Sequence, residues 1–197
     1  MDMTTQVPAP PTLVVFAHPA YHRSRVQRAM LHGIVGMPSV MVHDLYEVYP
    51  DHVVEVRDEQ ALLTRHDLIV LQFPFYWYSC PSLTKEWLDV VWLHGFAYGQ
   101  GGAALAGRTL MVAISTGGQI DAYGPGGMNR YAMAEFLRPF ERTAALCGMH
   151  WAPPFVVHGA ALLGPGDLDA AGRAYRDHLD TVRAGLAGAG DPDSAFG

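Results

Sequence analysis

The most chemically loaded stretch of the sequence is Pro74-Phe75-Tyr76-Trp77-Tyr78-Ser79-Cys80-Pro81, four consecutive aromatic residues bracketed by prolines. It follows an apolar run at residues 67–73. Rings held by a stiff turn make a flat wall suited to a planar ligand, and equally to a second copy of the chain. A second stretch, Ala17-His18-Pro19-Ala20-Tyr21-His22-Arg23-Ser24-Arg25-Val26-Gln27, also follows an apolar run. Ser24 stands where a helical pattern begins. Its hydroxyl and the unpaired N–H groups of the first turn, at Arg25, Val26 and Gln27, form a cradle for a phosphate. His18 and Arg25 would add charge-assisted contacts. The same residues also read as a plain helix N-cap with a loop histidine. The third stretch is Ser115-Thr116-Gly117-Gly118, followed by Gln119-Ile120-Asp121-Ala122-Tyr123. Paired glycines let backbone N–H groups approach a ligand edge, although the segment also reads as a simple turn.

The first cradle is neither a Walker A loop nor a GxGxxG fingerprint, so it suits one terminal phosphate rather than a chain of them. Gly99-Gln100-Gly101-Gly102 resembles part of such a fingerprint, but it precedes a strand pattern instead of following one. A phosphate cradle, an aromatic wall and a glycine-rich edge on three successive strand ends together describe a site for FMN. N–H groups at the pyrimidine edge would stabilise the negative charge of a reduced flavin.

The elements that must position these loops follow from the pattern. Apolar runs at residues 13–17, 39–43, 67–73, 109–114 and 155–158 read as five buried strands. Helical patterns occupy residues 24–35, 57–66, 81–93 and 129–147. Pro81 suits a helix start, and Pro139 predicts a kink in the fourth helix. A last helix runs to residue 186 behind Asp167 as its cap. Alternating strands and helices predict an α/β protein of flavodoxin-like type, a five-stranded parallel sheet of order 2-1-3-4-5 with helices on both faces. Ligands of such sheets bind outside the carboxyl ends of the strands. Residues 1–11 read as a flexible tail, 12–187 as one flavin-binding domain and 188–197 as a second flexible tail.

Composition narrows the class. Half of the 197 residues are hydrophobic, only 16% are charged, and the net charge is −6. That balance argues against nucleic acid as the partner. It also leaves apolar surface for a ligand or a second subunit to cover. The ten histidines are scattered without HExxH or finger spacing, so no metal site is expected. Cys80 and Cys147 form no CxxC and are expected as buried free thiols. Cys80 has no base beside it in sequence. No signal-peptide pattern and no apolar run long enough to span a bilayer occur, so a cytoplasmic protein is expected.

Ala17-His18-Pro19, Gln72-Phe73-Pro74-Phe75-Tyr76-Trp77-Tyr78, Phe96-Ala97-Tyr98-Gly99 and Ser115-Thr116-Gly117-Gly118 resemble the flavodoxin-like NAD(P)H:quinone reductases. They are similar above all to bacterial members akin to the ancillary subunits of glutathione-regulated potassium-efflux systems. The resemblance spans about residues 12 to 180. It implies FMN rather than FAD, because the extra C-terminal region that larger relatives place around the adenine half is not matched. It implies NADPH or NADH as co-substrate, a quinone or another flat acceptor, and a homodimer with the flavin sites at its interface. One site used twice would give ping-pong kinetics. His18, Ser24, Arg25, Val26 and Gln27 would hold the phosphate side. Pro74, Phe75, Tyr76, Trp77 and Tyr78 would line the ring, and Ser115, Thr116, Gly117 and Gly118 its pyrimidine edge. Tyr123 matches a tyrosine that assists hydride transfer, and Asn129 stands where mammalian-type relatives carry a histidine. The alternative implied by the potassium-efflux relatives is a flavin-binding regulator of a membrane antiporter. Such a regulator would have little turnover and would sit peripherally at the inner face of the membrane.

Overall fold

The computed structural model describes residues 9–189 of the chain. The tails expected at residues 1–11 and 188–197 lie mostly outside the described residues. The Pro11 carbonyl, where the first tail was expected to end, accepts the N–H groups of Asp67 and Leu68.

The sheet is parallel and runs β2-β1-β3-β4, with two short strands pairing side by side in sequence along the far edge of β4. Its strands are β1 (Thr12–Phe16), β2 (Val40–Asp44), β3 (Leu68–Pro74), β4 (Thr109–Ser115), β5 (His150–Trp151) and β6 (Phe155–Val157). The helices are α1 (Arg25–Ile34), α2 (Leu45–Val48), α3 (Val56–Leu63), α4 (Ser82–Val91), α5 (Met133–Leu146) and α6 (Pro165–Ala189). Every residue of β1, β3 and β4 is buried, as unbroken apolar runs require when helices cover both faces. On one face, Ile69, Leu71, Phe73, Leu83 and Trp87 pack with Val112 and Ile114. On the other, Val14, Met30, Val70, Met111 and Tyr175 form a second core.

The expected flavodoxin-like order is therefore present, with three differences in detail. The first is that β2 is not buried. It is an edge strand, with Met41 and Val42 exposed. The second is that the expected fifth strand, present as Phe155–Val157, is preceded on the same edge of β4 by an unexpected two-residue strand, His150–Trp151, from which Ala152, Pro153 and Pro154 separate it. Proline has no N–H for the ladder, so consecutive prolines interrupt the pairing. The third is that α5 begins four residues later than the pattern predicts. Arg130 adopts a left-handed φ of 63°, and the Glu135 carboxylate accepts the Ala132 N–H at 2.8 Å, which fixes the start at Met133. Pro139 lies inside that helix. Asp167 falls in the first turn of α6 and accepts the Gly164 N–H at 2.8 Å.

Helices α1 and α6 cross closely because they meet at glycines. A Cβ on Gly33 would overlap the Gly172 carbonyl, and one on Gly172 would lie 2.6 Å from the Ala29 oxygen. This crossing seats α1, and with it the start of the helix that the first loop feeds.

Candidate functional site

The carboxyl ends of β1, β3, β4 and β6 open into one cavity of about 680 Å³, within the roughly 300–1,000 Å³ usual for small-molecule sites. One end is cationic. Arg23 and Arg25 line it together with Ser24 and Val26, and the lining contains no carboxylate. The cause is local. Tyr21–Arg23 form a single 3-10 turn that delivers Ser24 to the cap of α1, where its hydroxyl accepts the Gln27 N–H at 3.3 Å. The N–H groups of Arg25 and Val26 precede the helical ladder and face outward from the helix end. The Arg25 guanidinium is anchored on the Leu163 carbonyl at 2.7 Å, so its charge is held at the cleft.

His18 sits beside this cradle and is 7% exposed. Its Nδ1 accepts the Ala20 N–H at 3.0 Å, so the neutral ring carries its proton on Nε2, which lies 3.5 Å from the Tyr76 hydroxyl. Burial pushes its pKa below the usual imidazole value. The ring is thus a neutral N–H donor at the cationic end of the cavity.

The aromatic wall is divided by backbone shape. Pro74 and Phe75 are tied down, with the Phe75 N–H donating to Ser115 O at 2.9 Å. Trp77 and Tyr78 both take left-handed φ, 49° and 63°, which is uncommon for bulky residues and costs energy. The result is a Trp77 side chain that is 93% exposed at the rim, while Tyr76 and Tyr78 are half-exposed. Tyr78 stacks on Phe136 at 5.3 Å and donates to Asn129 Oδ1 at 3.2 Å.

Across the cleft, Ser115, Thr116 and Gly117 complete the lining. A Cβ on Gly117 would meet nothing within 4 Å, so its backbone is open to a ligand edge. Gly118 packs under Tyr123, whose ring also meets Phe75, Phe136 and His158. Gln27, expected to touch the ligand, has its side chain fully buried behind the cradle. It donates to Ser115 Oγ at 3.0 Å and accepts from Gln72 at 2.9 Å. It therefore couples the first and third loops from beneath. Asn129 lies against Tyr78 at the aromatic loop and donates its own N–H to the Ala122 carbonyl; among the described residues no hydrogen bond joins it to Tyr123.

Three residues absent from the three loops belong to this end of the molecule. Ala160 and Ala161 line the cavity, and His158 bonds to Thr116. All follow β6, and their sequence signal is position alone, at the carboxyl end of the last strand. Cys80 is half-buried, and burial pushes its thiol up, away from a reactive thiolate. Among the described residues no group of three metal-ligating side chains occurs, and no helix is long and apolar enough to cross a membrane.

Sheet order and strand-end cleft together define a doubly wound α/β protein with its cleft at the carboxyl ends of the strands. A family model described as the flavodoxin-like fold matches residues 11–182, and the chain belongs to that family. It is 48% identical over 167 residues to the glutathione-regulated potassium-efflux system ancillary protein KefG of Cronobacter sakazakii, covering 85% of this chain and 91% of the relative. Among solved structures it resembles general stress protein 14 of Treponema denticola in complex with FMN. The identity is 39% and the TM-score 0.81, with 89% and 99% of the two chains covered. It also resembles an NADPH-quinone reductase from P. pentosaceus, with 35% identity, a TM-score of 0.77 and coverage of 85% and 96%.

Proposed function

We propose that the protein is an FMN-dependent NAD(P)H:quinone oxidoreductase acting as a homodimer. The observation that carries this reading is the meeting, in one cavity of about 680 Å³, of a carboxylate-free cradle at Arg23–Val26 with the aromatic wall Phe75–Trp77 and the open backbone of Gly117. The similarity to an FMN complex and to an NADPH-quinone reductase supports it. When bound, FMN supplies a two-electron carrier between a nicotinamide and a flat acceptor.

The chain's own residues would do the rest. The first-turn N–H groups of Arg25 and Val26, with His18 Nε2–H and Arg23, would hold the phosphate. Phe75, Tyr76 and Trp77 would flank the ring and exclude water from one side. The backbone at Thr116, Gly117 and Gly118 would face its pyrimidine edge, and Tyr123 would offer a hydroxyl there. The exposed rim of Trp77 (93%), Met128 (84%) and Tyr131 (56%) is the surface a second copy would cover, consistent with so few charges in the chain.

The test is direct. The purified protein is expected to carry or take up FMN, to lose its visible flavin absorption with NADPH or NADH, and to regain it with a quinone. No uptake of FMN would overturn the reading. Tyr123→Phe is expected to keep FMN affinity while slowing quinone reduction about tenfold, the worth of one hydrogen bond to developing charge. Unchanged turnover would remove Tyr123 from the chemistry. A second reading, an ancillary role at a potassium-efflux protein, is favoured by the similarity to KefG. Flavin binding with negligible turnover on any quinone would support it over the first.

A further inference from the structure

The histidine on the far side of Thr116 has a protonation pattern that the structure determines. Thr116 has one hydroxyl proton. Its Oγ1 lies 2.7 Å from the Gly118 carbonyl oxygen, which has no proton to give, so the hydroxyl donates there. The same Oγ1 lies 3.1 Å from His158 Nδ1. That contact is a hydrogen bond only if Nδ1 carries the proton. The Gly118 oxygen also accepts the Gly159 N–H at 2.9 Å, so the hydroxyl is well anchored. The neutral ring is therefore the Nδ1–H tautomer, and Nε2 presents a lone pair. Among the described residues no hydrogen bond to Nε2 occurs. The ring lies 5.2 Å from that of Tyr123, at the glycine-rich edge of the cleft.

We propose that His158 is the proton-holding group of this cleft, taking up a proton at Nε2 as negative charge arrives at the Thr116–Gly118 edge and releasing it to the acceptor. The inference rests on the reading of the cleft as an FMN-dependent quinone reductase. Reduction of a quinone by a nicotinamide consumes the hydride and one further proton. NAD(P)H loses a C–H bond and becomes NAD(P)+, while the quinone gains two O–H bonds and becomes the hydroquinone. In the releasing step the Nε2–H bond breaks and an O–H bond forms on the acceptor, which returns the ring to its neutral form, and the next reduction draws one proton from solvent to Nε2. Thr116 is positioned to fix the ring's orientation while this occurs, as orienting partners do for catalytic histidines.

The surroundings suit a group that is neutral at rest and charges on demand. Burial alone pushes the imidazole below its ordinary 6.5, and no charged side chain contributes. Two polar groups meet the ring, the Thr116 hydroxyl at the end of β4 and the Tyr123 ring from the loop that follows. An anionic ligand edge would then be the dominant charge near Nε2, and it would raise the imidazole pKa.

The experiment is a nitrogen-15 NMR titration of histidine side chains in the FMN-loaded protein, oxidised and then chemically reduced. The oxidised protein is expected to show His158 as the Nδ1–H tautomer. Its pKa is expected to rise by about one unit or more on reduction, the usual size of a nearby-charge effect. The companion variant is His158→Gln, whose amide can still donate to Thr116. It is expected to bind FMN and to lose the dependence of the flavin's midpoint potential on His158's protonation, together with the matching limb of the pH profile of quinone reduction. An Nε2–H tautomer, or a pKa that does not move in protein that binds and reduces FMN, would overturn the inference alone. So would a His158→Gln variant with the wild-type potential profile. Failure to bind FMN would overturn the underlying reading, and this inference with it.

Discussion

Glu59→Ala is expected to lower the stability of the folded chain by about 3–5 kcal/mol, the range for removing one partner from a buried ionic network. In a domain of this size that corresponds to a fall of roughly 10 °C in Tm. Glu59 is 2% exposed, on a helix whose neighbouring positions Asp58 and Gln60 are more exposed. Its carboxylate accepts three hydrogen bonds. His43 Nε2 lies 2.7 Å and the Tyr49 hydroxyl 2.6 Å from Oε1, and Trp87 Nε1 lies 2.7 Å from Oε2. The donors come from β2, the turn after α2, and α4. One side chain therefore ties three elements to α3. Alanine leaves all three donors without their acceptor in a closed space, and each such orphan costs about 1–3 kcal/mol before any relaxation. Glu59→Gln keeps an acceptor on one side but turns an NH2 toward a donor on the other, so it is expected to cost about 2 kcal/mol. Urea denaturation of the three proteins measures this. Equal midpoints would show that the network adds nothing.

The same network has a pH signature. Burial would push the Glu59 carboxyl up, but the hydrogen bonds from His43, Tyr49 and Trp87 together outweigh it and hold the group below its ordinary 4.5. A carboxyl that is more acidic folded than unfolded stabilises the fold fully above the unfolded value. It loses that contribution as pH falls through the lower, folded value. Stability of the wild type should decline below about pH 4.5 more steeply than that of Glu59→Gln, which has no proton to bind at that position.

Such a network is invisible in one dimension. Glu59 lies in Val56–Leu63 directly after Arg57 and Asp58, a local run of charges with no sign of burial, and its burial depends on partners 16, 10 and 28 residues away. The sheet is the opposite case. β3 and β4 are buried at all seven positions each, so an unbroken apolar run carries the whole signal. β2 shows where that signal misleads. Val40, Met41 and Val42 have the composition of a core strand, yet among the described residues nothing pairs beyond them, and the apolar run says strand without saying edge. The cleft divides in the same way. Ser24, the aromatic run and the Gly117–Gly118 pair are legible because each is a local arrangement on a strand end. His158 is not, because its tautomer is set by a hydroxyl 42 residues away. Nor is the inward turn of Gln27, which depends on Ser115 and Gln72 closing over it.

Ser24→Asp is expected to weaken FMN binding by about 100- to 1,000-fold while leaving the helix intact, because it separates the two roles of this residue. Aspartate caps a helix about as well as serine, and its oxygen can accept the Gln27 N–H that Ser24 Oγ accepts now. Stability should therefore change by only a few tenths of a kcal/mol. At the mouth of the cavity the exchange is not neutral. A full negative charge replaces a hydroxyl beside the free N–H groups of Arg25 and Val26. At about 4 Å from a phosphate it repels by roughly 4 kcal/mol at an effective dielectric of 20. The neighbouring Arg23 and Arg25 offset part of this, which sets the range given. Riboflavin, which has the same ring and no phosphate, is the control. Its affinity should be similar in wild type and variant if the aromatic wall and the Thr116–Gly118 edge hold the ring independently. Fluorescence-quenching titrations with both ligands measure the two constants. Equal loss for FMN and riboflavin would mean that the variant has disturbed the fold rather than the anion site. Undiminished FMN binding would mean that the phosphate does not sit at the start of α1.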